Sequence, residues 1–159
     1  MIGFTVETDF VPVKAAFANL KRKLENAKEP LKQAMYEWME STVKKRFESG
    51  GIPRWRERSR AYDHPILIDT QKLMSSVTNR FSSNKKIQHP DGKSVTLVSK
   101  VEYAIYHNEG TNKMPKRPFL FLTQEDADFF KDALRDWAYE KAIECGFYPE
   151  KFSLKNVIK

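Results

Sequence analysis

Between Leu31 and Phe47 apolar side chains recur at intervals of three and four residues. Leu31, Ala34, Met35, Trp38, Met39, Thr42, Val43 and Phe47 form a wide stripe along one face of a helix. Such a stripe has to be covered, so the rest of the chain must supply an apolar layer against it. Pro30 suits the first turn, where its missing N–H leaves no bond unmade. Ser49, Gly50 and Gly51 then stop the helix. Ahead of it a shorter helical pattern begins at Val13, carries Ala16, Phe17, Leu20 and Leu24, and ends before Pro30. Residues 2–7 alternate as a short strand with Phe4 and Val6 on one side.

A second long helix is announced by Thr123 standing three residues before Asp126, a helix-start pattern in which each side chain can satisfy the other residue's backbone N–H. Ala127, Phe130, Ala133, Leu134, Trp137, Ala138 and Ile143 follow at helical spacing as far as Gly146. Between the helical regions, residues 70–75 can form a helical turn, while 75–82 and 94–101 show β-branched alternation around the Asp91-Gly92 turn signal. An antiparallel pair of those two runs, continued by 102–106, is the expected sheet, with residues 89–93 at the hairpin tip. The fold class expected is therefore α+β: an antiparallel β-sheet packed against N-terminal and C-terminal helices. Residues 1–146 read as a single domain and 147–159 as a C-terminal arm.

The single cysteine, Cys145, rules out an internal disulfide framework and a cysteine-based zinc cluster. The first ten residues carry neither a basic segment nor a long apolar core, so no secretory leader is expected, and no apolar run approaches membrane-spanning length. A cytoplasmic site of synthesis is the resulting expectation, with no membrane partner. The net charge of +7 suits a polyanion or an acidic protein surface, although the cations are spread along the chain.

Two stretches stand out as candidate sites. Residues 50–65 show neither helical nor strand periodicity, an unusual length without regular structure unless it contacts a partner. Within it Arg54, Trp55 and Arg56 interleave an aromatic ring with cations, and Glu57, Arg58 and Arg60 follow. That composition can stack a base and neutralise phosphates, anchor a protein interface, or pin the loop to the core through Trp55 while the arginines stay solvated. The second stretch, residues 106–122, holds His107, Glu109, Lys116 and Arg117. His107 and Glu109 match one half of a zinc deaminase signature whose cysteine half is missing. His64, His89 and His107 could also meet Asp63, Asp69 or Asp91 around a metal, but no pair has helical ligand spacing. No phosphate-binding glycine loop or nucleophile elbow occurs. No catalytic residue, cofactor or metal is therefore assigned.

Three segments in a fixed order carry a resemblance. They are Ile66 to Leu73 with Leu67, Asp69 and Leu73; Tyr103 to Gly110 with Tyr103, Ala104, His107 and Gly110; and Met114 to Leu120 with Pro115, Arg117, Pro118, Phe119 and Leu120. This order over about residues 45–138 resembles the phage virion morphogenesis family, the tail completion proteins of tailed bacteriophages and prophages. Gln71 stands where the family usually carries Gly, which weakens the case for a tight turn there, and Asn108 stands where Gln is common. The resemblance implies a structural protein, not an enzyme, acting at the head-tail junction or tail end. It implies a homo-oligomeric ring, often a hexamer, with phage tail tube or head-tail connector proteins as partners and DNA in proximity. The implied location is the virion, after assembly in the host bacterial cytoplasm. A small basic nucleic-acid-binding module and a metal-dependent enzyme remain the alternatives.

On this reading Trp55, Arg54 and the 106–118 loop are interface anchors, since large aromatics and arginine concentrate interface energy. Residues 103–110 are expected as a strand entering a turn. Pro115 and Pro118 are expected to hold Arg117 in an extended segment that displays it to another subunit.

Overall fold

The computed structural model describes residues 11–89 and 91–148. The strand expected at 2–7 and all of the arm beyond Tyr148 lie outside the described residues. In chain order the elements are α1 (Val11–Leu24), α2 (Lys28–Trp38), a π-helical turn (Met39–Val43), α3 (Lys44–Glu48), α4 (Lys72–Thr78), β1 (Lys85–Gln88), β2 (Thr96–Ser99), α5 (Ala104–Glu109) and α6 (Gln124–Glu144). The architecture is α+β, with a two-stranded antiparallel sheet and helices at both ends of the described chain.

The apolar stripe from Leu31 to Phe47 does form the spine of the core. It runs through α2, the π turn and α3, and its buried members Met35, Trp38, Met39, Val43 and Phe47 meet Trp55, Leu73, Val77, Val101, Ala104 and Phe119. The widened turn lies where the Ser41 hydroxyl donates to the Glu37 carbonyl oxygen at 2.6 Å, a side-chain bond that competes with the helical ladder. The second long helix starts as its sequence pattern requires. Thr123 Oγ1 accepts from Asp126 N at 3.1 Å, and Asp126 Oδ2 accepts from Thr123 N at 2.8 Å. α6 packs along α2, bringing Phe130 to 6.0 Å from the Trp38 ring, and Phe147 beyond it meets Phe17 of α1 at 4.7 Å.

The second strand lies within the run 94–101 that alternation gave, but the first does not lie where alternation placed it. Residues 75–82 do not pair with 94–101; α4 takes the first half of that run, and the hairpin joins Lys85 to Ser99 through Gln88 to Thr96. Burial decides this. Leu73, Ser76 and Val77 recur at helical spacing and are buried on one face of α4, which a strand would have split between two faces. The Ser76 hydroxyl donates to the Leu73 carbonyl oxygen at 2.7 Å, Thr78 Oγ1 donates to Met74 at 2.9 Å, and Ser76 and Ser99 share a 2.7 Å bond that ties α4 to β2. The tip of the hairpin falls in the expected place, closed by Asp91 Oδ1 accepting from Lys93 N and Ser94 N. The continuation at 102–106 is a turn that enters α5 rather than a strand, and the Tyr103 ring stacks against His107, one helical turn on, at 5.7 Å.

Gln71 takes φ 57° and ψ 0° at the start of α4, a left-handed conformation. The tight turn is therefore present despite the side chain.

Candidate functional site

Residues 110–123 connect α5 to α6 with almost no regular structure, yet nearly every turn of this connector is tied down. Gly110 closes α5 with φ 76° and ψ 177°, a region open essentially to glycine alone. A Cβ there would lie 2.7 Å from Lys116 N. Thr111 and Met114 form an isolated antiparallel bridge, with Thr111 N donating to Met114 O at 2.8 Å. Arg117 N then donates to the His107 carbonyl oxygen at 2.9 Å. Asn108 Oδ1 accepts from both Phe119 N and Leu120 N at 3.0 Å, so one side chain holds two consecutive amides.

The other wall comes from the 50–65 loop. Trp55 Nε1 donates to the Pro118 carbonyl oxygen at 2.9 Å, and its ring packs edge-on against Phe47 at 5.6 Å. Phe47 in turn meets Phe119 at 5.3 Å. Gly51, at φ 104°, is covered by the Trp55 ring so closely that a Cβ would sit 2.5 Å from it. Arg58 Nη2 donates to the His64 carbonyl oxygen, and its guanidinium lies 4.6 Å from the Tyr62 ring centre, which folds the loop back on itself.

Between these walls lies a cleft of about 520 Å³. Its lining includes Arg58, His64, Asp69, Tyr103, His107 and Arg117. All three resemblance segments therefore meet at one place, although they are far apart in sequence. Leu73, Ala104 and Phe119 are its buried supports, while Leu67 and Leu120 are half-buried against the same core. Pro115 belongs to an adjoining cleft of about 620 Å³ that also holds Arg56, Arg60 and Lys113 and shares Arg58 and Arg117 with the first.

The display of anchors differs from expectation. Trp55 is 3% exposed and Arg117 6% exposed, so both side chains serve the interior, and neither projects as a surface anchor. Trp55 is drawn in because its indole has a carbonyl partner and two aromatic faces to cover; of the three sequence readings, loop-pinning is the one the geometry matches. Within residues 103–110, Ala104–Glu109 form α5, so His107 is placed by a helix and not by a strand entering a turn. Arg117, between Pro115 and Pro118, lies outside any helix or strand, and its guanidinium points inward, where Nε donates to the Arg56 carbonyl oxygen at 3.1 Å. Arg54, Arg56, Glu109 and Lys116 are exposed, with Lys116 Nζ 3.2 Å from Glu109 Oε2 and Arg54 3.4 Å from Glu57.

The electrostatics of the cleft follow from this crowding. Burial first, then the Arg58 and Arg56 charges, press the Arg117 pKa below the usual arginine value. Burial, and then Arg117, likewise lower His107, whose Nδ1 is buried without a hydrogen-bond partner. His64, His107 and Asp69 share the first cleft while His89 lines another. Among the described residues no group of three or more His, Cys, Asp or Glu side chains is arranged to hold a metal ion.

Sequence reasoning placed Asp126 at the start of the second long helix but missed Arg46 and its pairing with Asp126, on which the connector's far end hangs. Arg46 Nη2 meets Asp126 Oδ2 at 2.8 Å, Nη1 donates to Phe121 O at 2.7 Å, and Trp38 Nε1 donates to Asp126 Oδ1 at 2.8 Å. The signal was present in Arg46, a cation three residues from the apolar Val43 and beside Phe47 on the same helix. Among the described residues no helix is long and apolar enough to cross a membrane.

Compared with known proteins, the chain is 33% identical over 111 residues to the Mu-like prophage FluMu G protein 2 of Haemophilus influenzae, a match that covers 65% of this chain and 73% of the relative. No family model and no solved structure matches it.

Proposed function

The chain belongs to the phage virion morphogenesis family with its Mu-like prophage relative, and from that premise we propose that it completes the tail or joins it to the head by closing into a ring. A phage structural role is common ground for every version of this reading. The observation that supports the finer version is the convergence of the three motif segments on the connector and its cleft. Residues spent on closing Gly110, capturing amides through Asn108 and seating Phe119 shape a rigid surface. That is the work of an assembly protein, in which one fixed patch must match another on a neighbour. The role is non-enzymatic, and its place is the virion, reached after assembly in the host cytoplasm.

The test is to inactivate the gene in an inducible phage and image the particles. Heads and tails that accumulate unjoined, or tails of abnormal length, are the expected result. Normal joined particles would overturn the proposal. A nucleic-acid role finds support in the cation excess around the clefts, and duplex binding by the purified chain with a steep salt dependence would favour it.

A further inference from the structure

Two arginines of the described chain are more than nine-tenths buried, and their surroundings are opposite. Arg46 has a carboxylate at 2.8 Å and carbonyl oxygens for its other amino group. Arg117 donates through Nε alone, and among the described residues its two terminal amino groups have no partner and no carboxylate lies within ion-pair distance. A largely buried cation with no carboxylate in direct contact is unfavourable, and the Arg58 and Arg56 charges beside it add repulsion that Glu57 offsets only in part. The two adjoining clefts together hold Arg56, Arg58, Arg60, Lys72, Lys113 and Arg117 against only Glu57 and Asp69. The two clefts thus carry an excess of positive charge.

The same chain carries a complementary surface. On α6, Asp128, Asp132, Asp136 and Glu140 are all exposed and stand four residues apart, so they share one helix face. Arg135 neutralises part of this stripe by pairing with Asp132 at 2.8 Å and Asp136 at 3.1 Å, and Gln124 donates to Asp128 at 3.3 Å. No α6 residue lines either cleft, so this face does not fill the clefts of its own chain.

We infer that the Arg117 cleft receives carboxylates from the α6 acidic face of a second copy of this chain. The inference rests on the ring reading and names its contact. Cleft and stripe are different patches, so the contact is heterologous and can repeat from subunit to subunit around an axis. A carboxylate inserted beside Arg117 makes charge-assisted bonds to a guanidinium that lines both clefts yet keeps little exposure of its own. A side chain can reach so buried a guanidinium, whereas the backbone of a nucleic-acid duplex engages cations that project from the surface, which decides between these two anionic partners.

The full-length chain is to be followed by sedimentation at low and at high salt, beside three variants whose melting temperatures verify folding. One reverses exposed cleft cations (Arg56→Glu, Arg60→Glu, Lys113→Glu), the second reverses the stripe (Asp128→Lys, Asp136→Lys, Glu140→Lys), and the third is Arg117→Met. The wild type is expected to associate at low salt, each reversed variant to be monomeric, and an equimolar mixture of the two to associate again. Arg117→Met is expected to keep its melting temperature while losing at least about tenfold in association. Rings that persist in both reversed variants, or a mixture that stays monomeric, would overturn the inference and leave the ring standing. A wild type that forms no closed oligomer, alone or with purified tails, would overturn both. Loss of duplex binding in the cleft variant with unchanged self-association would also overturn it, in favour of nucleic acid.

Discussion

Arg46 and Asp126 form an ion pair 2.8 Å apart, with side chains 3% and 5% exposed. The pair joins the end of the long apolar helix to the start of α6 and is the fixed point from which the connector hangs. Burial opposes the Asp126 charge, but the Thr123 N–H, the Trp38 indole and Arg46 together outweigh it and hold the carboxyl below its ordinary value.

Removing one partner of this pair leaves the other charged, buried and alone. Arg46→Ala and Asp126→Ala should each destabilise the chain by about 3–5 kcal/mol, whereas the double change Arg46→Met with Asp126→Leu should cost far less than their sum. Urea denaturation of the four proteins measures this. Additive losses would mean the pair contributes through packing alone.

At Asn108 the side-chain oxygen, not the amide nitrogen, does the holding. Asn108→Ala should cost about 1–3 kcal/mol, because two part-buried N–H groups lose their acceptor, whereas Asn108→Asp keeps that acceptor and should cost less, losing only the 2.7 Å bond that Asn108 Nδ2 donates to Glu109. Faster amide hydrogen exchange at Phe119 and Leu120 in the alanine variant alone is the specific signature.

Gln71 carries a side chain in a left-handed conformation that glycine adopts without cost. Gln71→Gly should therefore stabilise by up to about 1 kcal/mol, a rise of about 2–4 °C in Tm for a chain of this size. A fall in Tm would show that the glutamine side chain makes a contribution larger than its strain.

The His107 pKa is held below its ordinary 6.5, first by burial and then by Arg117. Between the folded and unfolded values the unfolded chain binds more protons, so stability falls as pH drops through 6.5 toward the folded value. Glu40 and Asp126 are also shifted, but downward from carboxylate values, so their losses come in more acid solution. Urea midpoints at about pH 7 and about pH 5.5 should differ in the wild type and differ less in His107→Asn. Equal slopes would remove His107 from the account.

The long helices were legible because their signals are local. A three-four apolar repeat fixed the Leu31 to Phe47 face, and Thr123 with Asp126 fixed the start of α6. The strands were misread where local pattern and tertiary burial disagree: the run 75–82 alternates plausibly, yet Leu73, Ser76 and Val77 all face the core only as a helix. The motif order singled out three segments that the fold brings to one cleft, without giving their geometry. That Trp55 and Arg117 turn inward depends on two distant carbonyl oxygens, those of Pro118 and Arg56, which no spacing in the sequence announces.

The bonds that build the connector also impose an order in time. Trp55 reaches 63 residues ahead to Pro118, Arg46 reaches 80 residues to Asp126, and Trp38 reaches 88. A chain still on the ribosome with α6 unmade has Arg46 without its carboxylate, and the connector without its far support. The fully tied connector thus comes into being only after the ribosome has released the start of α6.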